Sequence, residues 1–226
     1  MTRRRVSNPL ALAVLACLNE RPMHPYEIST TLRTRGKESS IKLNYGSLYA
    51  VVESLRKHGL ILARETTREG RRPERTVYEI TTAGIEEFED SLAELLSTPV
   101  RDFTSLEAGL SLMASLPPEE VARLLDERAL KLRSDARALD ATLAEATGIG
   151  VPQLFLVEST YRRRLLQTEL DFVTDLARDI RSSAFPGTKI WRRLHELRGQ
   201  GLSFEEIMTD PVRHLGEEAR GLQPEQ

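Results

Sequence analysis

Between Asn44 and Thr81 the chain sets one helix-forming stretch, one short apolar run, an arginine-crowded turn and a second short apolar run in immediate succession. Asn44 is a good helix cap, and Leu48, Val51, Val52 and Leu55 behind it fall on one helical face until His58-Gly59 stops the pattern. Leu60-Ile61-Leu62-Ala63 and Thr76-Val77-Tyr78-Glu79-Ile80 read as β-strands. Arg64, Arg68, Arg71, Arg72 and Arg75 crowd the turn between them, around Gly70 and Pro73. A helix with one buried face, followed at once by a cationic hairpin, is the layout of a winged helix, and that expectation constrains everything else.

The flanking segments agree with it. A first helix over about 9–19 is apolar nearly all round, so it should be buried. Arg21-Pro22 ends it, and a second helix runs from His24-Pro25 through Tyr26, Ile28 and Leu32 to Gly36. After the hairpin, Ile85, Phe88, Leu92, Leu95 and Leu96 repeat at helical spacing, and Pro99 marks a boundary.

The second part reads as helical almost throughout. A short helix (Phe103 to Met113) ends at Pro117-Pro118. A heptad-like stripe follows: Ala122, Leu125, Ala129, Leu132, Ala136, Leu139, Leu143 and Ala146. Gly148 and Gly150 break it, and a second long helix is expected from about Pro152 to Ser183. That helix carries two apolar stripes, one of Leu154, Val157, Tyr161, Leu165, Thr168 and Phe172, the other of Leu166, Leu170, Val173, Ala177 and Ile180. One hairpin partner covers one stripe, so self-association is the natural use of the surplus, with Leu125, Leu132, Leu139, Leu143, Leu166, Leu170 and Val173 as the expected dimerisation residues. The heptad stripe also suits a purely intrachain hairpin. Beyond Phe185-Pro186-Gly187, Ile190, Trp191, Leu194 and Leu197 indicate one more helix. Ser203-Phe204-Glu205-Glu206 opens a shorter one, and the polar last ten residues should fray.

Charge is divided along the chain. Residues 1–82 hold 15 Lys+Arg against 8 Asp+Glu, a net of +7, and the remainder holds 17 against 26, a net of −9. A basic first part joined to an acidic second part suits a polyanion-binding module attached to something else. The lone Cys17 excludes an intrachain disulfide and fits a reducing cytoplasm. Arg3-Arg4-Arg5 and the apolar run up to Cys17 resemble a lipoprotein leader, but Asn8-Pro9 opens an ordinary helix where the apolar core of a leader would start. No apolar run approaches the ~20 residues that span a bilayer.

Catalysis finds little support. There is no phosphate-binding glycine loop and no nucleophile elbow, and His24, His58, His195 and His214 have no metal-ligand spacing with each other or with Cys17. Neither a cofactor nor a metal is expected. For nucleic acid the parts differ in kind and fall in order. A recognition helix exposes small polar donors at its N-terminal end, and Lys42, Asn44, Tyr45, Ser47 and Tyr49 cluster there. Arg68, Arg71, Arg72 and Arg75 would bring the wing's cations to a groove. Tyr26 and Tyr49 either meet DNA or sit at the edge of the core. Asn44 can cap the helix and contact DNA at once. Trp191 suits helix packing better than a ligand platform. An arginine-rich turn by itself is a solvated loop; the helix in front of it turns the odds.

These residues carry a resemblance. Pro22, His24-Pro25-Tyr26-Glu27-Ile28, Leu32, Gly46-Ser47-Leu48-Tyr49, Leu55-Arg56-Lys57-His58-Gly59-Leu60-Ile61, Gly70-Arg71-Arg72-Pro73, Tyr78-Glu79-Ile80-Thr81 and Gly84 resemble the PadR family of bacterial transcriptional regulators over about residues 9–96. Pro25 stands where glycine is commoner and Ala50 where proline often follows; neither threatens a helix. The resemblance implies a winged helix-turn-helix domain (1–98) followed by a helical dimerisation domain (99–185), mainly α with a small β-hairpin wing. It also implies a homodimeric repressor on a near-palindromic operator in double-stranded DNA, controlling its own or an adjacent operon and releasing DNA when a small molecule binds or the dimer rearranges. The helical extension (186–226) lies outside it. The alternative from another class is a winged helix that serves only as a protein-interaction module on a helical scaffold.

Overall fold

The computed structural model describes residues 8–41, 44–67 and 75–222. The chain divides into two compact units, Met1–Arg101 and Asp102–Gln226.

In the first unit, α1 (Pro9–Glu20) starts where Asn8 Oδ1 accepts the Leu10 amide and Pro9 takes the first helical position. Leu10, Val14, Leu15 and Leu18 are buried on it, and so is Cys17, whose thiol pKa is pushed up by that burial. Cys17 is thus a small hydrophobe of the core. α2 (Pro25–Thr34) has an unusual cap: His24 Nδ1 accepts the Tyr26 amide, and Glu27 reaches back to accept the His24 amide at 2.9 Å. Pro25 occupies its first helical position, where proline gives up no hydrogen bond. α3 (Tyr45–Lys57) buries Leu48, Val52 and Leu55 against α1 and α2. Each such side chain withdrawn from water stabilises the unit by about 1.5–3 kcal/mol. α3 closes in a Schellman motif: Gly59 takes φ +71°, its amide bonds to Arg56 O, and the Leu60 amide bonds to Leu55 O.

That turn feeds β1 (Ile61–Thr67), antiparallel to β2 (Arg75–Ile80), with Ile61 opposite Ile80 and a register irregularity between Ala63 and Glu65. The connector between α1 and α2 adds a rung that the sequence did not signal: Met23 pairs with Tyr78, each amide bonding to the other's carbonyl at 3.0 Å. α4 (Thr82–Ser97) is capped by Thr81, whose hydroxyl accepts the Gly84 amide at 3.0 Å and donates to Gly59 O at 2.8 Å. Gly84 is dictated by packing, because a Cβ there would lie 2.1 Å from the Leu60 carbonyl oxygen.

In the second unit, α5 (Ser105–Leu112) and a 3-10 turn (Met113–Ser115) lead to α6 (Pro118–Gly148). Another 3-10 turn (Gln153–Leu156) leads to α7 (Val157–Arg181), so the second long helix begins five residues later than the sequence suggests. α6 and α7 form an antiparallel hairpin tied by Arg163–Asp140 and Arg128–Glu169 ion pairs, each 2.6 Å, and by Arg181–Asp126. Its core joins Val121, Ala122, Leu125, Ala129 and Leu132 to Leu170, Val173, Ala177 and Ile180.

The extension folds. α8 (Thr188–Gly199) docks by Trp191, which is buried with that core and donates Nε1–H to Leu116 O at 2.8 Å. Arg192 pairs with Glu119 at 2.5 Å and His195 Nε2 meets Ala114 O at 2.9 Å. α9 (Phe204–Thr209) opens on the expected Ser203–Glu206 capping box, and α10 (Pro211–Leu215) follows. The expectation of a frayed tail fails over Glu217–Leu222, which form a 3-10 helix. Ala219 there is fully buried with Leu197, Ile207 and Leu215. A single small apolar residue in a polar stretch carries no periodic signal, so the sequence hid this contact.

Candidate nucleic-acid interface

The first turn of α3 is exposed and its polar groups are partly committed. Asn44 Oδ1 accepts the Ser47 amide at 2.7 Å, and the Ser47 hydroxyl donates to the same Oδ1. Asn44 is therefore a cap, and it is exposed. Gly46 has no packing reason to be glycine: a Cβ there would meet nothing closer than Asn44 Oδ1 at 3.8 Å. Its absent side chain leaves the helix N-terminus open to a close-approaching group, where backbone amides favour anions.

Tyr26 at 56% and Tyr49 at 48% exposure each keep about half of their surface in solvent. The His24–Glu27 capping pair fixes the backbone on which Tyr26 projects. Sequence reading missed that pair because histidine is a rare cap; the glutamate three residues on was the available signal. Lys42, Arg68, Arg71 and Arg72 lie outside the described residues. Of Tyr45 and Arg75 only the backbone is described, Tyr45 opening α3 and Arg75 opening β2. At the base of the hairpin Arg64 lies 3.6 Å from Glu79, both partly exposed. At the far end of α3, Arg56 bonds Glu53 at 2.9 Å and holds that carboxyl below the usual carboxylate range.

The residues assigned to self-association are placed differently. Leu125, Leu132, Leu170 and Val173 are buried inside the chain's own hairpin, and Leu139, Leu143 and Leu166 are half-buried. The four buried side chains have no surface left for a second chain. The other stripe of α7 is the open one: Tyr161 is 63% and Leu165 52% exposed, with Val157 and Phe172 beside them.

Three helices, a basic-turned hairpin and a fourth helix, with α3 presented at its N-terminus, define a winged helix-turn-helix. Residues 14–90 match the model of the transcriptional regulator PadR-like family. That match covers most of the first unit and about a third of the chain. Solved structures resemble the chain more widely. They include Bacillus subtilis PadR in complex with operator DNA, at 20% identity and TM-score 0.56, covering 73% of this chain and 98% of that one. The same protein in complex with p-coumaric acid matches at 16% identity and TM-score 0.62, covering 75% and 96%. A PadR-like transcriptional regulator from Bacillus cereus, BC1756, matches at 13% identity and TM-score 0.53, covering 77% and 99%. Among curated proteins none matches the sequence.

Proposed function

We propose that the protein is a homodimeric, ligand-responsive transcriptional repressor that reads a near-palindromic operator in double-stranded DNA. The observation that carries the reading is the uncovered N-terminal turn of α3, with Asn44 capping and Gly46 bare, set beside a hairpin whose turn holds the sequence's arginine cluster. Asn44, Tyr45, Ser47 and Tyr49 would meet bases or the adjoining phosphates, with Tyr26 and Lys42 at the edge. Arg68, Arg71, Arg72 and Arg75 would meet phosphates. The Bacillus subtilis structure with operator DNA supports this assignment, and the one with p-coumaric acid supports a small-molecule effector.

Dimerisation is assigned to the exposed stripe of α7, since an apolar band of this extent is rarely left to water. Two winged helices joined by a two-fold axis account for a palindromic site. Among the described residues no helix is long and apolar enough to cross a membrane. A cytoplasmic regulator acting on its own or an adjacent operon is part of the same reading. The reading contains no catalytic step and no cofactor.

The test is selection of duplexes from a random pool, followed by fluorescence anisotropy at fixed salt. The expected result is an inverted repeat bound roughly 10³-fold more tightly than random duplex. Equal binding of every duplex would leave only the protein-interaction reading.

A further inference from the structure

Two helical faces of the second unit enclose a groove of about 400 Å³. Leu106 and Leu110 of α5, with Met113 of the 3-10 turn that follows, form one wall, and Val121, Leu124 and Leu125 of α6 form the other. The volume falls in the range of small-molecule sites, about 300–1,000 Å³.

The charges at its mouth are unequal. Glu127 shares Arg123 with Glu120, and Arg128 is engaged by Glu169 at 2.6 Å. Lys131 also lines the groove and makes no ion pair or hydrogen bond among the described residues. Of the three charged residues that line the groove, Lys131 alone is without an ion pair among the described residues, beside an otherwise mostly apolar lining. The end of the groove at Leu116 is held by the extension, through the Trp191 bond to the Leu116 carbonyl.

We propose that this groove binds a small amphipathic anion, its apolar body between α5 and α6 and its carboxylate or equivalent at Lys131. The proposal rests on the ligand-responsive reading above and gives it a site and a ligand class. A neutral or cationic molecule of the same shape gains the apolar contacts and lacks the charge partner.

Decanoate and decylammonium, both below their micelle concentrations, share a chain and differ in charge. Calorimetry with the full chain, paralleled by emission of Trp191, the only tryptophan, compares them. Decanoate should bind saturably and about fivefold more tightly than decylammonium, the scale of one solvent-exposed charge contact. Lys131→Glu should reverse that order. Gly109→Phe should abolish binding of both with the fold intact, because a Cβ at Gly109 meets nothing within 4 Å and the site is a regular helix position. Equal affinities for the two probes, an unchanged order in Lys131→Glu, or binding retained by a folded Gly109→Phe would each overturn the site. So would loss of the dimer in Gly109→Phe by light scattering, which would make the groove the seat of a second copy. Operator affinity is measured separately with and without decanoate. Unchanged operator affinity with decanoate bound would keep the site and remove its role as effector; absent decanoate binding would remove the site and leave operator recognition standing.

Discussion

Met23 and Tyr78 exchange both backbone hydrogen bonds at 3.0 Å, so the connector between α1 and α2 lies as a rung against β2. The Met23 side chain is at the same time 1% exposed, within the core that seats α3. One residue thus ties the second strand of the hairpin to the core that seats α3. A hairpin of two strands is marginal alone, and this rung with its buried side chain supplies the missing support.

Gly84→Ala should destabilise the first unit, by about 1–3 kcal/mol for an overpacked contact. The added methyl would press on the Leu60 carbonyl, and that same segment receives the Thr81 cap. Urea denaturation of the full chain reads the loss in the transition of this unit, and an unchanged midpoint would show that the α4 start yields freely.

Gly46→Ala should separate stability from recognition. Nothing in the chain obstructs the new methyl, and alanine is the better helix former by up to about 1 kcal/mol, so the melting temperature should hold or rise. Operator affinity should fall by at least tenfold, or about 1.4 kcal/mol, because the methyl stands where DNA must come close. Tyr45→Ala is the companion change. It should cost specific binding much more than non-specific binding, about 1–3 kcal/mol for a base contact. Retained preference for the operator in a folded Tyr45→Ala protein would put the recognition helix elsewhere.

Replacing Arg71 and Arg72 by alanine should flatten the salt dependence of DNA binding. Each phosphate contact contributes about −0.9 to the slope of log affinity against log salt, so two residues in each of two subunits amount to roughly four units at most. Titrations of the operator duplex over a range of salt give the slope directly. The wing has no electrostatic role if it does not move.

Aspartate at Leu132 and aspartate at Leu165 should have different effects. Leu132 is buried in the hairpin, and a charge there should unfold the second unit. Leu165 is half-exposed on the open stripe, so Leu165→Asp should keep the fold and dissociate the dimer. Light scattering and circular dichroism of both proteins separate the cases; a dimeric, folded Leu165→Asp would move the interface off α7.

The sequence was enough for the order of the main elements as far as α9, because each of these announces itself within a few residues. Asn8 and Asn44 cap, Gly59 can hold the left-handed turn, and alternating or helical apolar spacing fixes strand or helix over short windows. It also determined the α3 residues that stand at the helix start, since capping is local chemistry. Contacts between distant segments were not written in any window. Met23 against Tyr78, Trp191 against Leu116 and Ala219 in the extension's core are single residues without periodicity, joined across up to 75 positions. The two stripes of α7 were both visible, and their roles were not. Period alone gives two apolar faces of equal claim, and only packing against α6 buried Leu170 and Val173 while leaving Tyr161 and Leu165 open. Burial is a property of what lies opposite, and that is decided in three dimensions.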